Sequence, residues 1–249
     1  MAGHSHWAKI KRAKASNDAK RGRVWSKLAR RIIVAAKTGG GDPDDNLTLR
    51  YAIDDAKAAN MPNDTIDRAI KKGTGGLDGT SYEQVIYEGY GPGGTAFIVD
   101  CLTDNRNRTA PEMRKFFEQA GGQLGTTNCV AWMFANKGTF AIAADADDED
   151  TLMELAIEAG ADDVQRDGYL YEIITDPAAF GAVREALAGA GIETVSAEVG
   201  LVADTQVELD AEKARQAISL YEKIEDHDDV QNVYTNFEVP EELLAEMGG

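Results

Sequence analysis

The stretch at residues 138–203, GTFAIAADADDEDTLMELAIEAGADDVQRDGYLYEIITDPAAFGAVREALAGAGIETVSAEVGLVA, decides the fold. Its apolar and helical patterns alternate in a complete series. They predict strand 138–144, helix 148–159, strand 162–166, strand 169–175, helix 177–189 and strand 193–202. This β-α-β-β-α-β order is that of a ferredoxin-like unit. The sequence therefore predicts a ferredoxin-like domain at 137–203.

The segments on either side of this unit, 80–136 and 204–240, predict one discontinuous α+β domain. The first segment, 80–136, is predicted to contain a hairpin, a helix that begins with a capping box of Thr109 and Glu112, and a short strand at 130–134. The hairpin consists of a strand at 82–88, a glycine turn at 89–94 and a strand at 95–102. Helix 209–224 and strand 231–238 have no partners of their own, so we expect them to return to this hairpin. The ferredoxin-like unit is then an insertion.

Residues 1–76 predict a helical domain. Trp25, Leu28, Ala29, Ile32 and Ala36 recur at the spacing of one helical face, which places Lys27, Arg30 and Arg31 on the opposite face. Further helices are predicted at 44–59 and at 63–72, the latter with Asn63 as N-cap and Gly73 as its end. Residues 241–249 predict a short acidic tail. The fold class is α+β: an N-terminal helical domain followed by two α/β-sandwich-like domains.

The charge of the chain is divided sharply along its length. The net charge is −17, which by itself disfavours a nucleic-acid partner. Residues 1–38, however, hold eleven Lys or Arg and one Asp, a net charge of +10, which leaves −27 for the remainder. This asymmetry is typical of an interaction arm attached to a solvating body.

The basic segment supplies the candidate binding residues, because lysine and arginine neutralise phosphates with release of counterions. An aromatic residue such as Trp7 can stack on an unpaired base. A weaker second site is predicted on the loop that holds Arg106 and Arg108, with pairing to acids such as Asp104 as the alternative. The predicted phosphate-binding cations are Lys9, Lys11, Arg12, Lys14, Lys20, Arg21, Arg23, Lys27, Arg30 and Arg31.

The sequence contains few signals for dinucleotide binding, metal binding or catalysis. The glycines at 89–94 match a dinucleotide fingerprint, but a strand follows them where a helix is needed, so they indicate a structural turn. The aspartates at 42–45 lack a calcium loop and are interpreted as turn and N-capping residues. An amino-terminal His4 can chelate copper or nickel only if Met1 is removed. We expect no enzyme, metal, cofactor or small-molecule substrate.

The compartment is predicted from three further features. Cys101 and Cys129 have neither metal nor disulfide spacing and are interpreted as buried thiols of a reducing cytosol. No apolar run approaches the length that crosses a membrane. The basic N-terminus lacks the apolar core of a secretory signal, and a transit peptide is the alternative to an arm of the mature protein. We expect a cytoplasmic protein.

Several long motifs resemble the YebC/PmpR family over essentially the whole chain. They include MAGHSHWAKIK at 1–11, DAKRG at 18–22, AAKTGGGDP at 35–43, YEGYGPGG at 87–94, DNRNRT at 104–109 and VQNVYTNF at 230–237. The resemblance implies a three-domain α+β protein, commonly labelled a probable DNA-binding transcriptional regulator. It also implies links to translation, since mitochondrial relatives are translational activators of cytochrome c oxidase and bacterial members relieve ribosomes stalled on proline-rich sequences.

Three functions are consistent with these observations. The first is a cytoplasmic nucleic-acid-binding regulator of gene expression, a DNA-binding transcriptional regulator of the YebC type. The second is a ribosome-associated translation factor that contacts ribosomal RNA and relieves stalling on proline-rich sequences. The third is a non-enzymatic scaffold, in which the basic arm meets an acidic protein partner.

Overall fold

The computed structural model describes residues 18–75, 82–146, 148–167, 170–240 and 243. Its first elements are three helices: α1 (Asp18–Gly39), α2 (Leu47–Ala58) and α3 (Asn63–Gly73). Leu28, Ile32 and Ala36 of α1 are buried against α2 and α3, as the helical periodicity predicts. Trp25 covers one edge of this core, and its indole nitrogen donates a hydrogen bond to the carbonyl of Ala59 at 2.9 Å.

Asn46 joins α1 to α2. Its side-chain oxygen accepts from the amide of Leu49 at 3.1 Å and caps α2, and its amide donates to the carbonyls of Ala35 at 2.9 Å and Gly40 at 2.8 Å. The N-capping role predicted for the aspartates therefore belongs to Asn46, whereas Asp42 closes the preceding turn by accepting from the amide of Asp44.

Replacing Asn46 by alanine removes the cap and the two hydrogen bonds to the carbonyls of Ala35 and Gly40, so we expect it to destabilise the helical domain by about 1–3 kcal/mol. Faster hydrogen exchange in α2 and at the end of α1 is the measurement. Asn46→Asp keeps the capping oxygen and should lose less. Equal exchange in wild type and Asn46→Ala would contradict this account.

Two predicted helix starts are wrong. Asn63 is the first residue of α3, and the N-cap position is Pro62, whose side chain has no hydrogen-bond acceptor. The next helix, α4 (Arg106–Gln119), is capped by Asn105 and not by Thr109. The side-chain oxygen of Asn105 accepts from the amide of Arg108 at 3.2 Å. Thr109 is buried, and its hydroxyl donates to the carboxylate of Asp229.

The second domain is a four-stranded sheet covered on one face by two helices. Its strands are β1 (Glu83–Tyr90), β2 (Ala96–Thr103), β3 (Gln123–Leu124) and β9 (Val230–Thr235), in the order β3-β1-β2-β9. Helices α4 and α7 (Ala211–Glu225) enclose a core that includes Phe97, Phe117 and Ile218. The prediction that the last helix and strand return to the hairpin is confirmed.

Three details of this domain differ from expectation. Residues 131–133 form a 3-10 turn, Ala131–Met133, and not part of a strand. The strand predicted at 231–238 is interrupted at Asn236, whose side chain accepts from the amide of Ala96 at 2.7 Å. Its final part, β10 (Phe237–Glu238), pairs in parallel with β8 (Val207–Glu208).

The inserted unit contains β4 (Phe134–Ala143), α5 (Glu149–Glu158), β5 (Ala161–Asp167), β6 (Leu170–Thr175), α6 (Phe180–Gly189) and β7 (Thr194–Ala203). Its strand order, β5-β6-β4-β7, is that of a ferredoxin-like sheet. Phe140, Leu152 and Ile173 lie in its separate core. The α+β class with a ferredoxin-like insertion is confirmed.

We propose the domain limits 1–76, 80–136 with 204–240, and 137–203, because three separate buried clusters fall within them with the exception of Leu243. A fourth, smaller cluster around Ile98, Val130 and Phe134 joins the last two domains. In the predicted tail at 241–249, the described residue Leu243 is buried in the core of the second domain. Within the described ranges no helix is both long enough and apolar enough to span a membrane.

Candidate nucleic-acid interface

The ten cations predicted to bind phosphate are described to different extents. Lys9, Lys11, Arg12 and Lys14, together with Trp7, lie outside the described residues. Lys20 and Arg21 lie in the first turn of α1, and their side chains are also outside the described part. The structure therefore shows the contacts of four members of the set, which are Arg23, Lys27, Arg30 and Arg31.

Three of these four cations contact an acidic turn that follows α7, residues 225–229. Arg23 forms an ion pair with Asp226 at 2.9 Å, and Lys27 donates to the carbonyl of Glu225 at 2.6 Å. Positions 23, 27 and 30 share one helical face, which explains why all three reach the same turn. The helical face predicted to meet nucleic acid is therefore turned, along this part of α1, toward the second domain.

Arg30 makes the most buried of these contacts. Its guanidinium donates to the carbonyl of Asp228 and pairs with the carboxylate of Asp229 at 3.2 Å. Arg31, one residue further, points away from the turn and pairs with Asp55 of α2 at 2.9 Å. All four described cations of the set therefore have anionic or carbonyl partners within the chain.

Burial shifts the pKa of Lys27. Desolvation lowers the pKa of its ammonium group, although the nearby Glu225, Asp226 and Asp228 act in the opposite direction. The lysine is thus partly enclosed between α1 and the acidic turn. Its position is that of a docking contact rather than of a cation extended into solvent.

Asp229 is the centre of the domain contact. It is 1% exposed, and its carboxylate accepts from the hydroxyls of Thr103 at 3.0 Å and Thr109 at 2.7 Å. Arg108 donates to the same oxygen at 2.7 Å, and Arg30 approaches the other oxygen. One strand and two helices, from two domains, therefore meet at one carboxylate.

Burial by itself would raise the pKa of Asp229, but hydrogen bonds from Arg108 and the two threonine hydroxyls hold it below the ordinary value for aspartate. The carboxylate is therefore ionised wherever the protein is folded near neutral pH. The sequence analysis did not select this residue, because the neighbouring residues in the acidic run 225–229 do not distinguish a buried aspartate from an exposed one.

Arg106 and Arg108 lie in the first turn of α4 and not on a loop. Arg108 pairs with Asp104 at 3.0 Å as well as with Asp229, so the alternative interpretation of this residue, pairing with a neighbouring acid, is found in the structure. Arg106 is exposed. Binding of nucleic acid by this pair stays a prediction.

An open groove of about 700 Å³ lies between α1, α4 and the acidic turn. Its cations are Arg23, Arg30, Arg108 and Lys223. Its acids are Asp104, Glu112, Asp226, Asp228 and Asp229. His227 also lines the groove and contacts Glu112 at 2.8 Å. Because the acids are interleaved with the cations, a polyanion cannot enter here without displacing carboxylates from their partners.

Comparison with known proteins covers most of the chain. The family model for the TACO1/YebC protein N-terminal domain matches residues 5–76, and the model for the TACO1/YebC second and third domain matches residues 82–237. A probable transcriptional regulatory protein of Geobacter sulfurreducens is 53% identical over 99% of this chain and 100% of its own length. Another of that name, from Desulforapulum autotrophicum, is 51% identical with the same coverage.

The fold is also similar to a solved structure. The crystal structure of a conserved hypothetical protein from Aquifex aeolicus matches with a TM-score of 0.85 and 47% identity, over 96% of this chain and 99% of that one. The helical, hairpin and ferredoxin-like parts of the chain thus occur together in a relative of nearly equal length. The chain belongs to the TACO1/YebC family.

Proposed function

We propose that the chain is a cytoplasmic, non-catalytic regulator of gene expression that binds nucleic acid through its basic N-terminal region. The observation that carries this proposal is the distribution of charge. Residues 1–76 hold sixteen Lys or Arg and eight Asp or Glu, a net charge of +8, which leaves −25 for the rest of the chain. A polyanion is attracted to the first domain and repelled by the other two.

The docking of α1 gives the ten predicted cations two roles in this proposal. Arg23, Lys27 and Arg30 hold α1 on the acidic turn, so they orient the start of the helix. Lys20 and Arg21 belong to the same continuous helix, and the more N-terminal cations precede it. We propose that phosphates are bound mainly by the cations up to Arg21, with the later ones contributing if the turn is displaced.

Transcriptional regulation is the first candidate, because relatives at 51–53% identity bear the name probable transcriptional regulatory protein. The target is then DNA. Contact with ribosomal RNA as a translation factor is the second candidate, and the acidity of the body favours it. A long duplex that follows the basic region must pass near the acidic domains, whereas a compact target can be contacted by the arm alone.

A salt titration tests the proposal against the scaffold alternative. Each phosphate contact should steepen the fall of log K with log salt by about 0.9 for duplex DNA and about 0.7 for a single strand. We therefore expect a steep decline for the full chain, measured by fluorescence anisotropy with labelled nucleic acids. Binding that is absent or insensitive to salt would overturn the proposal.

A second experiment separates the two targets. Co-sedimentation with ribosomes is compared with retention of promoter DNA at matched salt. Retention of ribosomes at a salt concentration that releases DNA would favour the translational role, and the reverse order would favour transcription.

A further inference from the structure

Trp132 is the most exposed of the large hydrophobic side chains in the described chain, with 71% of its surface accessible. It lies in the 3-10 turn Ala131–Met133, at the end of a loop that begins after β3. Tyr90, at the end of β1, is 37% exposed. Both side chains donate to one acceptor, the carbonyl of Cys129, Tyr90 from its hydroxyl at 3.0 Å and Trp132 from its indole nitrogen at 3.1 Å.

Three backbone hydrogen bonds to a buried carboxylate hold the loop that carries Trp132 in place. Glu88 is 4% exposed and accepts from the backbone amides of Asn128 at 2.7 Å, Val130 at 3.0 Å and Ala131 at 2.9 Å. Val130 is fully buried in the cluster that joins the last two domains. The two aromatic side chains are therefore fixed before any ligand arrives, which reduces the entropy lost on binding.

The stretch of chain that carries Trp132 is itself uncharged. Residues 119–136 contain no Asp, Glu, Lys or Arg, in a chain of which 28% is charged. The exposed polar residues in this stretch are Gln123 of β3 and Thr126, Thr127 and Asn128 of the loop, whose amides and hydroxyls both donate and accept. The stretch therefore contributes none of the negative charge that repels a phosphate chain from the rest of the body.

We propose that Trp132 and Tyr90, with the polar side chains of this loop, bind an unpaired nucleobase of a single-stranded segment. Stacking on an aromatic ring needs no charge and is open only to a base outside a duplex. The polar side chains then contact the edge of the stacked base. The inference rests on the proposed nucleic-acid-binding function and narrows its target to one with unpaired bases.

The test compares two short single-stranded RNA probes of equal length, one with bases and one abasic, by fluorescence anisotropy with the full chain. Trp132→Ala should weaken binding of the probe with bases by about 5- to 150-fold and leave the abasic probe unchanged. Trp132→Phe should recover part of the loss. Binding of the probe with bases should also quench tryptophan emission in wild type more than in Trp132→Ala.

The matched control is Ile157→Ala, which removes another exposed apolar side chain, 48% accessible, from the acidic ferredoxin-like unit. It should bind both probes like the wild type. Unchanged affinity in Trp132→Ala, or an equal loss for both probes, would overturn the stacking site while leaving the salt-dependent binding of the arm intact. A change of oligomeric state in Trp132→Ala, seen by light scattering, would assign the surface to contacts between copies instead. Failure of the wild type to bind either probe while it still binds duplex DNA would overturn this inference alone. Failure to bind both the probes and duplex DNA would overturn the proposed function itself.

Discussion

Replacing Lys11, Arg12, Lys20 and Arg21 together by glutamate is expected to weaken nucleic-acid binding by about 10³-fold at physiological salt. Four lost phosphate contacts, each worth a factor of about 5 in counterion release at that salt, account for this size. The salt dependence should become shallower at the same time. Anisotropy titrations of wild type and variant at several salt concentrations measure both effects.

The control for this variant changes the same amount of charge elsewhere. Arg114, Lys115, Arg184 and Lys213 lie in α4, α6 and α7 of the acidic domains, and their replacement by glutamate adds the same negative charge to the body. It should reduce affinity far less, through the general repulsion alone. Equal losses in the two variants would show that net charge, and not the arm, governs binding. Unchanged circular dichroism in the first variant checks that the body still folds.

The second large effect is expected at Asp229. Its replacement by alanine leaves two buried hydroxyls and two guanidinium groups without their shared acceptor, so we expect a loss of about 3–5 kcal/mol of stability. The contact between α1 and the second domain should loosen with it. Hydrogen exchange should therefore rise in α1 and in the first turn of α4, beyond any rise in the ferredoxin-like unit.

Asp228→Ala is the matched control, because this neighbouring aspartate is exposed and its carbonyl, which Arg30 contacts, is kept. Its effect should stay within about 0.5 kcal/mol. Similar losses in both variants would show that the acidic turn acts through its total charge and not through the buried carboxylate.

The pKa of Asp229 adds a pH dependence with a definite sign. Because its folded pKa lies below the unfolded value, its contribution is complete above the unfolded pKa and disappears as the pH falls through the folded one. The stability difference between wild type and Asp229→Asn, measured by denaturant titration, should therefore be constant near neutrality and shrink in the acid range below about pH 4. A difference that grows on acidification would contradict the assignment.

Local patterns were sufficient for the secondary structure that depends on local physics. The spacing of Leu28, Ile32 and Ala36 predicts α1 because a helix buries one face whatever its partner is. Residues 131–133, within the strand predicted at 130–134, form a 3-10 turn for a reason outside that stretch. Glu88, which is far away in sequence, accepts hydrogen bonds from the backbone amides of Val130 and Ala131, which in a strand would donate to a neighbouring strand. The side chain of Trp132 consequently faces solvent.

The amino-acid sequence by itself determined the α+β class, the ferredoxin-like insertion and the concentration of positive charge near the N-terminus, because periodicity and charge are properties of neighbouring residues. Only the tertiary structure decided which charges are available and which are paired. Arg30 and Asp228 are 198 residues apart in the chain, and no local pattern shows that folding brings this arginine onto the acidic turn. Burial and hydrogen bonding depend on distant atoms, so the roles of Asp229 and Trp132 emerge only when the chain has folded.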